Sequence, residues 1–375
     1  MTAPRPRRLI CVGFRRWKQY NLAPILRSQA DELIFAPHAK AARRLAPTPA
    51  DAIGWWSCEP PEGVAELAGT SGAMTIRIED GFLRSVGLGS DLIPPLSLVL
   101  DRTGIYFDPR QPSDLETILA TADFSEEELE RARAVRAFIV EHGLTKYNLE
   151  PRQQPDWATQ GRKVVLVTGQ VEDDASIRFG CSDVRTNHGL LRAAREGDPD
   201  AYIIYKPHPD VMSGNRNGRM TLADARQWAD HIETDLSVIS CIEACDELHC
   251  MTSLAGFDAL LRGKRVVTYG QPFYVGWGVT EDRATENKAE GQDALARRRR
   301  NLSLDELVAG TLIRYPLYWD TQTQRTTACQ SVLRRIVEER DRLERSGALE
   351  KLRSGSVLRL KRKLLVLITA CLSPR

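Results

Sequence analysis

The sequence predicts an α/β protein with two parallel, doubly wound domains and a basic helical tail. Its 375 residues exceed the roughly 100 to 200 that are typical of one domain. Short apolar runs alternate with longer amphipathic ones, which is the pattern of strands joined by helices. The alternation stops at a proline- and glutamine-containing segment and then starts again. We therefore predict a first domain over residues 1–150, a second over residues 162–315, and C-terminal helices with the basic tail over residues 316–375.

The first domain opens with an apolar run at residues 9–14, which we predict to be a buried strand. Strands and helices then alternate in the order βαβαβαβ, and this order indicates a parallel sheet. The further strands are predicted at residues 32–35, 52–56 and 74–78, and the helices near residues 23–29, 38–45 and 64–67. Two more apolar runs, residues 96–100 and 104–107, flank a turn. A predicted helix at residues 125–142 closes the domain.

Residues 146–161 contain Pro151, Pro155, three glutamines and Gly161, a composition that is typical of a linker. The alternation restarts after this segment. Strands are predicted at residues 163–168, 202–205, 248–251 and 265–269, and helices at residues 184–196, 235–246 and 254–261. Ligands of such sheets bind beyond the carboxyl ends of the strands. The segments that follow the strands are therefore the candidates for a functional site.

Composition argues against several classes of protein. Lys plus Arg (52) and Asp plus Glu (50) nearly balance, so the chain has no global charge that would favour nucleic acid. The eight cysteines are scattered, which favours a reducing cytoplasm over a secreted disulfide framework. We interpret Cys241, Cys245, His249 and Cys250 as core residues, because their spacing is uneven for a metal site. No apolar stretch of the sequence reaches the roughly 18 residues of a membrane span.

The C-terminal residues 351–375 carry seven lysines and arginines and no acid, which leaves a net charge of −5 on residues 1–350. These cations lead into the apolar residues 364–368, a segment that can lie in a membrane interface and is too short to span it. We predict that the tail holds the protein at an anionic membrane surface. The alternative is a final helix that packs on the body of the protein.

Two predicted strands are followed by acidic residues. Glu79 and Asp80 directly follow a strand of the first domain, where a carboxylate can act as general base toward an acceptor hydroxyl. A capped turn is the structural alternative. Glu172, Asp173 and Asp174 follow the first strand of the second domain, and acids this close resist ionising together. They indicate either a functional cluster or a solvated loop.

Two other segments supply basic and hydroxyl groups. In the sequence KPHPD, residues 206–210, two prolines fix the backbone around His208, and Lys206 provides a cation. Thr252 or Ser253 can cap a helix whose free amides suit a phosphate. A plain turn and an ordinary cap are the alternatives. The aromatic and glycine residues at 270–278 either wall a pocket or cover the sheet.

The basic run at residues 297–300 is interpreted as a solvated face, with a phosphate or lipid head-group site as the alternative. A nucleic-acid-binding function through this run is disfavoured, because net charge is near zero and no recognition motif accompanies it.

Taken together, the segments resemble the KpsC-type capsule polysaccharide export proteins, a family of retaining β-Kdo glycosyltransferases. The resemblance rests on EDGFLRSVGLG at residues 79–89, PPLS at 94–97, GIYFD at 104–108, Gln170 with Asp174 and Ser176, KPHP at 206–209, and motifs at 253–257, 260–263 and 269–278. These motifs occur in order over about residues 5–330.

The resemblance implies two Rossmann-like domains of GT-B-like architecture, the first on the acceptor side and the second binding a CMP-sugar donor. It implies transfer of Kdo (3-deoxy-D-manno-oct-2-ulosonic acid) from CMP-Kdo to a Kdo-phospholipid or glycan acceptor, in capsule or related surface polysaccharide biosynthesis and export. The expected location is the cytoplasmic face of the inner membrane, with other capsule assembly proteins as partners. Family members often carry two such modules in tandem, and this chain has one. No metal, cofactor or nucleic acid is expected.

By resemblance, Asp174 is the nucleophile of a double displacement, and His208 assists at the donor. Glu79 activates the acceptor hydroxyl, with Asp80 as the fallback base. Glu172 and Asp173 are then expected to face solvent. The implied donor-binding residues are Gln170, Ser176, Lys206, Thr252, Ser253, Gly256 and Gln271. The alternative is a non-catalytic export or scaffold component, which predicts no turnover of CMP-Kdo.

Overall fold

The computed structural model of the chain describes residues 5–212, 220–284, 293–354 and 356–372. The chain divides into two compact units. The first contains Met1–Gly104, Leu144–Leu149 and Thr311–Arg375, and the second contains Ile105–Gly143 and Glu150–Gly310. Both units are therefore assembled from separate stretches of the chain. This division differs from the continuous ranges that the sequence predicts, because residues 105–143 pack with the second unit and C-terminal strands join the first sheet.

The N-terminal stretch alternates strands and helices as predicted. Its elements are β1 (Arg8–Val12), α1 (Arg16–Arg27), β2 (Glu32–Ala36), α2 (Ala39–Arg43), β3 (Ala52–Trp56), α3 (Val64–Ser71), β4 (Met74–Asp80), a 3-10 turn (Gly89–Asp91) and β5 (Ser97–Asp101). The second apolar run predicted nearby, residues 104–107, forms no strand.

The middle stretch builds the second unit. Its elements are α4 (Asp114–Thr121), α5 (Glu126–Glu141), β6 (Val164–Thr168), α6 (Ala175–Gly180), α7 (Asn187–Gly197), β7 (Tyr202–Lys206), α8 (Pro209–Met212), α9 (Leu222–Arg226), β8 (His231–Ile232), α10 (Val238–Ala244), β9 (Glu247–Cys250), α11 (Leu254–Leu261), β10 (Arg265–Thr268), β11 (Glu281–Asp282), α12 (Ala294–Arg297) and α13 (Leu304–Val308). Helix α5 begins where the sequence predicts, at a capping box in which Ser125 and Glu128 satisfy each other's backbone N–H groups.

The C-terminal stretch returns to the first unit. It follows a π-helical stretch, Ala309–Arg314. The elements of the C-terminal stretch are β12 (Leu317–Asp320), β13 (Arg325–Thr327), α14 (Cys329–Arg345), α15 (Ala348–Ser354) and α16 (Ser356–Leu372). Of the helices in the described part of the chain, none combines the length and the apolar composition that crossing a membrane requires.

The sheet of the first unit has the strand order β13-β12-β5-β4-β3-β1-β2. Strands β1 to β4 pair in parallel, which confirms the prediction for them. β5 runs antiparallel to β4, and β12 antiparallel to β5. The direction reverses because residues 81–96, which join β4 to β5, contain a loop and a 3-10 turn and no crossover helix.

Alternate residues of β1 face opposite sides of this sheet. Leu9 and Cys11 pack in a core cluster with residues of α1, while Ile10 and Val12 pack with residues of α2 and α3. All four are at most 1% exposed. A strand that is buried on both faces reads as a continuous apolar run, which is why the sequence reveals it.

The sheet of the second unit has the order β11-β10-β9-β6-β7-β8, and all its pairs are parallel. A core cluster of residues from β6, β7, α7 and α9 covers it. The two sheets with their helices confirm the predicted α/β class.

Candidate functional site

The predicted residues of the second unit follow four neighbouring parallel strands. The strand order places β10, β9, β6 and β7 side by side. Gln271 follows β10, Thr252 follows β9, Asp174 follows β6, and His208 follows β7. Because the carboxyl ends of parallel strands meet at the same edge of a sheet, the fold brings all four segments to one edge.

Gln170 joins the loop after β6 to the loop after β9. Its side-chain Oε1 accepts hydrogen bonds from the backbone N–H groups of Met251 (3.1 Å) and Thr252 (2.9 Å). Its Nε2 donates to Thr252 Oγ1 at 3.0 Å. These three bonds fix the orientation of the amide, because exchanging its oxygen and nitrogen would set donors against donors.

The bonds continue from Thr252 to Asp174. The Thr252 hydroxyl donates to Ser176 Oγ at 3.0 Å, and the Ser176 hydroxyl donates to Asp174 Oδ1 at 3.0 Å. Since a hydroxyl has only one proton, the chain of bonds runs in one direction, from Gln170 to the carboxylate. The Ser176 N–H adds a second bond to Oδ1 at 3.0 Å, so Asp174 also caps α6. Asp174 is exposed, and its Oδ2 accepts no hydrogen bond from a described residue.

Asn187, which was not predicted from the sequence, holds the backbone of Gln170 in place. Its buried side-chain amide accepts from the Gln170 N–H at 2.8 Å and donates to the Gln170 carbonyl at 2.9 Å. The Asn187 N–H donates to Glu172 Oε1 at 2.7 Å. Glu172 is half-buried, so it faces solvent only in part, and its carboxylate is bound at the start of α7. Asp173 is exposed as expected.

The loop after β7 passes directly over Gly169. The Gly169 N–H donates to the Lys206 carbonyl at 2.8 Å. A methyl group on Gly169 would lie 3.2 Å from the His208 backbone nitrogen, so this close approach favours glycine. His208 lies at the start of α8 and accepts backbone bonds from Val211 and Met212 at 3.0 Å. Lys206 is half-buried and forms no ion pair with a described residue.

Ser253 and Gly256 make contacts that shape the start of α11. Ser253 Oγ accepts from the Ala255 N–H at 3.2 Å and is the N-cap of the helix. Its carbonyl accepts from the Tyr274 hydroxyl at 2.5 Å. A side chain at Gly256 would collide with the same hydroxyl. Local packing and helix capping therefore explain why serine stands at position 253 and glycine at position 256, two of the predicted donor-binding positions.

Gln271 is engaged on both sides of its buried amide. Its Nε2 donates to Asp293 Oδ1 at 2.8 Å, and its Oε1 accepts from the Ala294 N–H at 3.1 Å. Its backbone N–H donates to the Gly180 carbonyl at 2.7 Å. Gln271 thus ties α6 and α12 to the end of β10.

The basic run at residues 297–300 is largely paired. Arg297 Nε lies 2.6 Å from Glu116 Oε1, and Arg298 Nε lies 3.0 Å from Glu116 Oε2. Arg300 pairs with Glu306 at 2.8 Å. Arg298 is only 5% exposed. The interpretation of this run as a solvated face is therefore wrong, because a buried carboxylate holds two of the four guanidinium groups within the second unit.

The cysteines near this edge are buried. Burial raises the pKa of Cys241 and of Cys245 to about 12 and that of Cys250 to about 11. Such thiols stay protonated at neutral pH, which makes them weak nucleophiles and weak ligands. Within the described ranges, no group of three or more His, Cys, Asp or Glu residues is arranged to hold a metal ion.

Glu79 and Asp80 line a cavity of about 430 Å³ in the first unit. Helix α1, the end of β3, the end of β4 and the loop before β5 contribute to its walls. Its other polar and aromatic side chains include Arg15, Trp17, Lys18, Asn21, Trp56 and Arg84. Aromatic rings together with charged groups are suited to a polar ligand such as a sugar acid.

The charged groups of this cavity differ in how they are neutralised. Arg84 Nε lies 2.7 Å from Asp80 Oδ2, so the Asp80 charge is compensated. Burial, with a further contribution from the neighbouring Asp80, raises the pKa of Glu79 to about 7. Burial also lowers the pKa of Lys18 to about 8, and its Nζ lies 3.3 Å from the centre of the Trp56 ring. A carboxylate with a pKa near 7 suits a general base at neutral pH.

The sequence reasoning missed the contribution of α1 to this cavity. Asn21 is 7% exposed, and its Nδ2 donates to the Leu92 carbonyl at 2.9 Å. Its buried Oδ1 has no hydrogen bond from a described residue. Lys18 lies one helical turn before it. The sequence offers no local signal for either residue, because the Trp56 ring that Lys18 contacts and the Leu92 carbonyl that Asn21 binds are distant along the chain.

The motif at residues 79–89 builds one wall of the same cavity. A methyl group on Gly89 would lie 2.9 Å from Arg84 Nη2, so the guanidinium group packs directly on the glycine backbone. The Arg84 carbonyl accepts from the Leu96 N–H at 2.7 Å, and the Gly87 N–H donates to the Tyr147 carbonyl at 2.7 Å. These bonds hold the segment between β4 and β5 in place without a helix.

Residues 51–318 match the family model described as capsule polysaccharide biosynthesis protein. The capsule polysaccharide modification protein LipA of Neisseria meningitidis serogroup B is 40% identical over 344 residues, which are 92% of this chain and 47% of LipA. The lipopolysaccharide-processing protein LpsZ of Rhizobium meliloti is 43% identical over 245 residues, which are 64% of this chain and 54% of LpsZ. The chain spans about half the length of the curated relatives that it matches.

Two solved structures of KpsC from Thermosulfurimonas dismutans are similar along nearly their whole length. The β-Kdo 2,4 transferase is 29% identical with a TM-score of 0.74, and the match covers 89% of this chain and 98% of that one. The β-Kdo 2,7 transferase is 31% identical with a TM-score of 0.69, covering 88% and 98%. These matches confirm the resemblance that the motifs indicate, and with it the predicted fold class.

Proposed function

Because the chain belongs to the capsule polysaccharide biosynthesis protein family, we propose that it is a retaining glycosyltransferase that transfers Kdo from CMP-Kdo to a Kdo-phospholipid or glycan acceptor. The KpsC structures, which are β-Kdo transferases, support the choice of sugar. Sequence identity is higher to the 2,7 transferase, whereas the TM-score is higher to the 2,4 transferase. NMR of the product is therefore needed to determine the linkage. The proposed location is the cytoplasmic face of the inner membrane, and the proposed partners are other capsule assembly proteins.

The observation that carries the proposal is the directed chain of hydrogen bonds that ends on Asp174. A retaining transfer by double displacement needs a carboxylate that attacks the anomeric carbon. The Ser176 N–H and hydroxyl both donate to Oδ1 and hold the carboxylate in one orientation. We assign the attack to Oδ2, the oxygen that accepts no hydrogen bond from a described residue.

In the first step, a bond forms between Asp174 Oδ2 and the anomeric carbon of Kdo while the bond to the CMP oxygen breaks. Lys206 and the positive end of the α11 dipole supply the positive charge that a departing phosphate requires. His208, held at the start of α8, is proposed to assist the leaving group. The step needs no metal ion, and we expect transfer to persist in EDTA.

In the second step, the acceptor oxygen attacks the anomeric carbon, its proton passes to a base, and the Asp174 carboxylate is released. We propose Glu79 as that base, because its pKa of about 7 makes it the better proton acceptor at neutral pH. Asp80, the fallback base, is compensated by Arg84.

Replacing Asp174 tests this proposal. Asp174→Asn keeps the shape of the side chain and removes the anionic nucleophile, so transfer from CMP-Kdo to a synthetic Kdo glycolipid should fall by about 1000-fold or more. The matched control is Asp173→Asn, which removes the neighbouring exposed acid of the same loop and should keep near-normal transfer. CMP binding by both folded variants should persist.

Near-normal transfer by Asp174→Asn would exclude the mechanism. A folded wild-type chain that binds CMP and gives no transfer with any Kdo acceptor would instead favour the non-catalytic export component.

A further inference from the structure

Helix α16 packs against the first unit through one face. On that face Ala370 is 2% exposed, and Lys363 and Val366 are half-buried. The helix contacts α1 and the 3-10 turn Gly89–Asp91. Lys363 Nζ lies 3.3 Å from Asp91 Oδ1, and that carboxylate is nearly buried. This ion pair and the packing fix the rotation of the helix on the unit.

The opposite face of α16 is apolar and exposed. Leu364, Leu365, Leu367 and Ile368 are 57, 65, 42 and 47% exposed. Their spacing places all four on one side of a helix. Within the part of the chain that the structure describes, they make up four of the six exposed large hydrophobic residues. A contiguous apolar patch of this kind marks an interaction surface.

The charge of the same segment identifies what this surface binds. Residues 351–375 contain seven lysines and arginines and no acid, whereas residues 1–350 have a net charge of −5. Leucines flanked by cations are typical of helices that lie in the head-group region of a membrane. A second copy of the chain would bring two sets of seven cations together, which opposes self-association through this face.

We propose that the exposed face of α16 docks on an anionic lipid bilayer, with its four apolar side chains entering the head-group region; the basic composition of residues 351–375 favours anionic over neutral lipid. The helix lies parallel to the membrane and does not cross it. Its packed face keeps the ion pair with Asp91, so binding requires no rearrangement of the first unit.

The position of α16 has a consequence for the acceptor. Two of the elements that α16 contacts, α1 and the 3-10 turn, line the cavity that contains Glu79. A bilayer that binds α16 would therefore lie beside this cavity, which suits a sugar acceptor attached to a lipid. This second step rests on the proposed transferase function, whereas the docking surface does not.

Flotation of the full chain with lipid vesicles tests the docking surface. Wild type should bind vesicles that contain phosphatidylglycerol, bind vesicles of phosphatidylcholine alone much more weakly, and lose binding as NaCl rises. The double variant Leu364→Ser, Ile368→Ser should lower the partition coefficient by about 100-fold. Met212→Ser is the matched control, because it removes an exposed apolar side chain of the second unit.

Equal binding of wild type and the double variant would overturn the proposal, as would equal binding to charged and neutral vesicles. A concentration-dependent dimer that the double variant loses, without vesicle binding, would assign the surface to a second copy. Transfer to a water-soluble Kdo acceptor should be the same in wild type and double variant. If docking fails and this transfer is retained, the function stands without the surface; if docking succeeds without any transfer, the surface stands without the function.

Discussion

The polar groups after β6 and β9 and those of the first-unit cavity are organised in opposite ways. At the sheet edge, Gln170 donates to Thr252, Thr252 donates to Ser176, and Ser176 donates to the exposed carboxylate of Asp174. In the cavity, Glu79 and Lys18 are half-buried, and their pKa values are shifted. In the first region, hydrogen bonds between neighbouring side chains hold the carboxylate in place, whereas in the second, burial shifts the pKa values of the charged groups.

This difference indicates different tasks. A group that must meet one carbon atom gains from a fixed orientation, and hydrogen bonds to rigid neighbours provide it. A group that must accept a proton gains from a pKa near the working pH, and partial burial provides that. On this basis we assign nucleophilic attack on the sugar to Asp174 and removal of the acceptor proton to Glu79. Separate variants test the two assignments.

The largest effect is expected from Glu79→Gln. The variant cannot accept the acceptor proton, so transfer should fall by about 1000-fold or more, while the first displacement still takes place. A Kdo adduct should then accumulate on the protein, and intact-mass spectrometry with peptide mapping should locate it on Asp174.

Glu62→Gln is the control for Glu79→Gln, because it neutralises an exposed carboxylate of the same unit. It should transfer normally and carry no adduct. Normal transfer by Glu79→Gln would contradict the assignment of the base.

A smaller effect is expected from Lys206→Ala. Loss of charge-assisted bonds to the donor should cost about 1.5 to 3 kcal/mol, or roughly 10- to 150-fold in CMP-Kdo affinity, and kcat should also fall because the same cation stabilises the departing phosphate. Isothermal titration with CMP and the KM for CMP-Kdo measure this. Lys206→Arg keeps the charge and should recover part of the affinity. Unchanged CMP affinity in a folded Lys206→Ala protein would remove Lys206 from the donor site.

Thr252→Val should weaken the orientation of Asp174 and leave its charge intact. The variant loses the hydroxyl that bridges Gln170 and Ser176, a loss of about 1 to 2 kcal/mol, so kcat should fall by roughly 5- to 30-fold. The KM for CMP-Kdo should stay close to that of wild type. Thr252→Ser restores the bridge and should restore kcat. A KM effect without a kcat effect would make Thr252 a donor contact instead of a positioning residue.

Much of the fold could be predicted from the sequence, because eight strands are short apolar runs. Parallel strands that are buried on both faces produce such runs, as β1 and β6 show. The sequence did not predict β12, which pairs with β5 although the two are more than two hundred residues apart. Local periodicity carries no information about such a pairing. Strands β8 and β11 have two residues each, too few for any period.

The sequence predicted site residues best where they directly follow a strand. Gln170, Asp174 and Thr252 come to one edge because the strand order makes β6 and β9 neighbours. Asn187 and Lys18 were missed, because they reach their sites from helices through tertiary packing. Motif matching alone does not separate residues that bind a ligand from residues such as Gln271, whose side chain is used inside the protein.

The smallest expected effect concerns stability and tests the cavity without any substrate. The pKa of Glu79 rises from an ordinary 4.5 to about 7 on folding, so the folded protein binds this proton more tightly than the unfolded chain does. Wild type should therefore lose stability as pH rises from 4.5 to 7, whereas Glu79→Gln should not lose this contribution. Near pH 4.5 the two proteins should have similar Tm values. At pH 8 the variant should be more stable by on the order of 1 kcal/mol, or a Tm higher by about 2 to 4 °C.

Thermal unfolding followed by circular dichroism between pH 4.5 and pH 8 measures this difference in Tm, with Glu62→Gln as the exposed control. A Tm difference between wild type and Glu79→Gln that does not change with pH would show that folding does not raise the pKa of Glu79. The assignment of proton transfer to the cavity would then lose its physical basis.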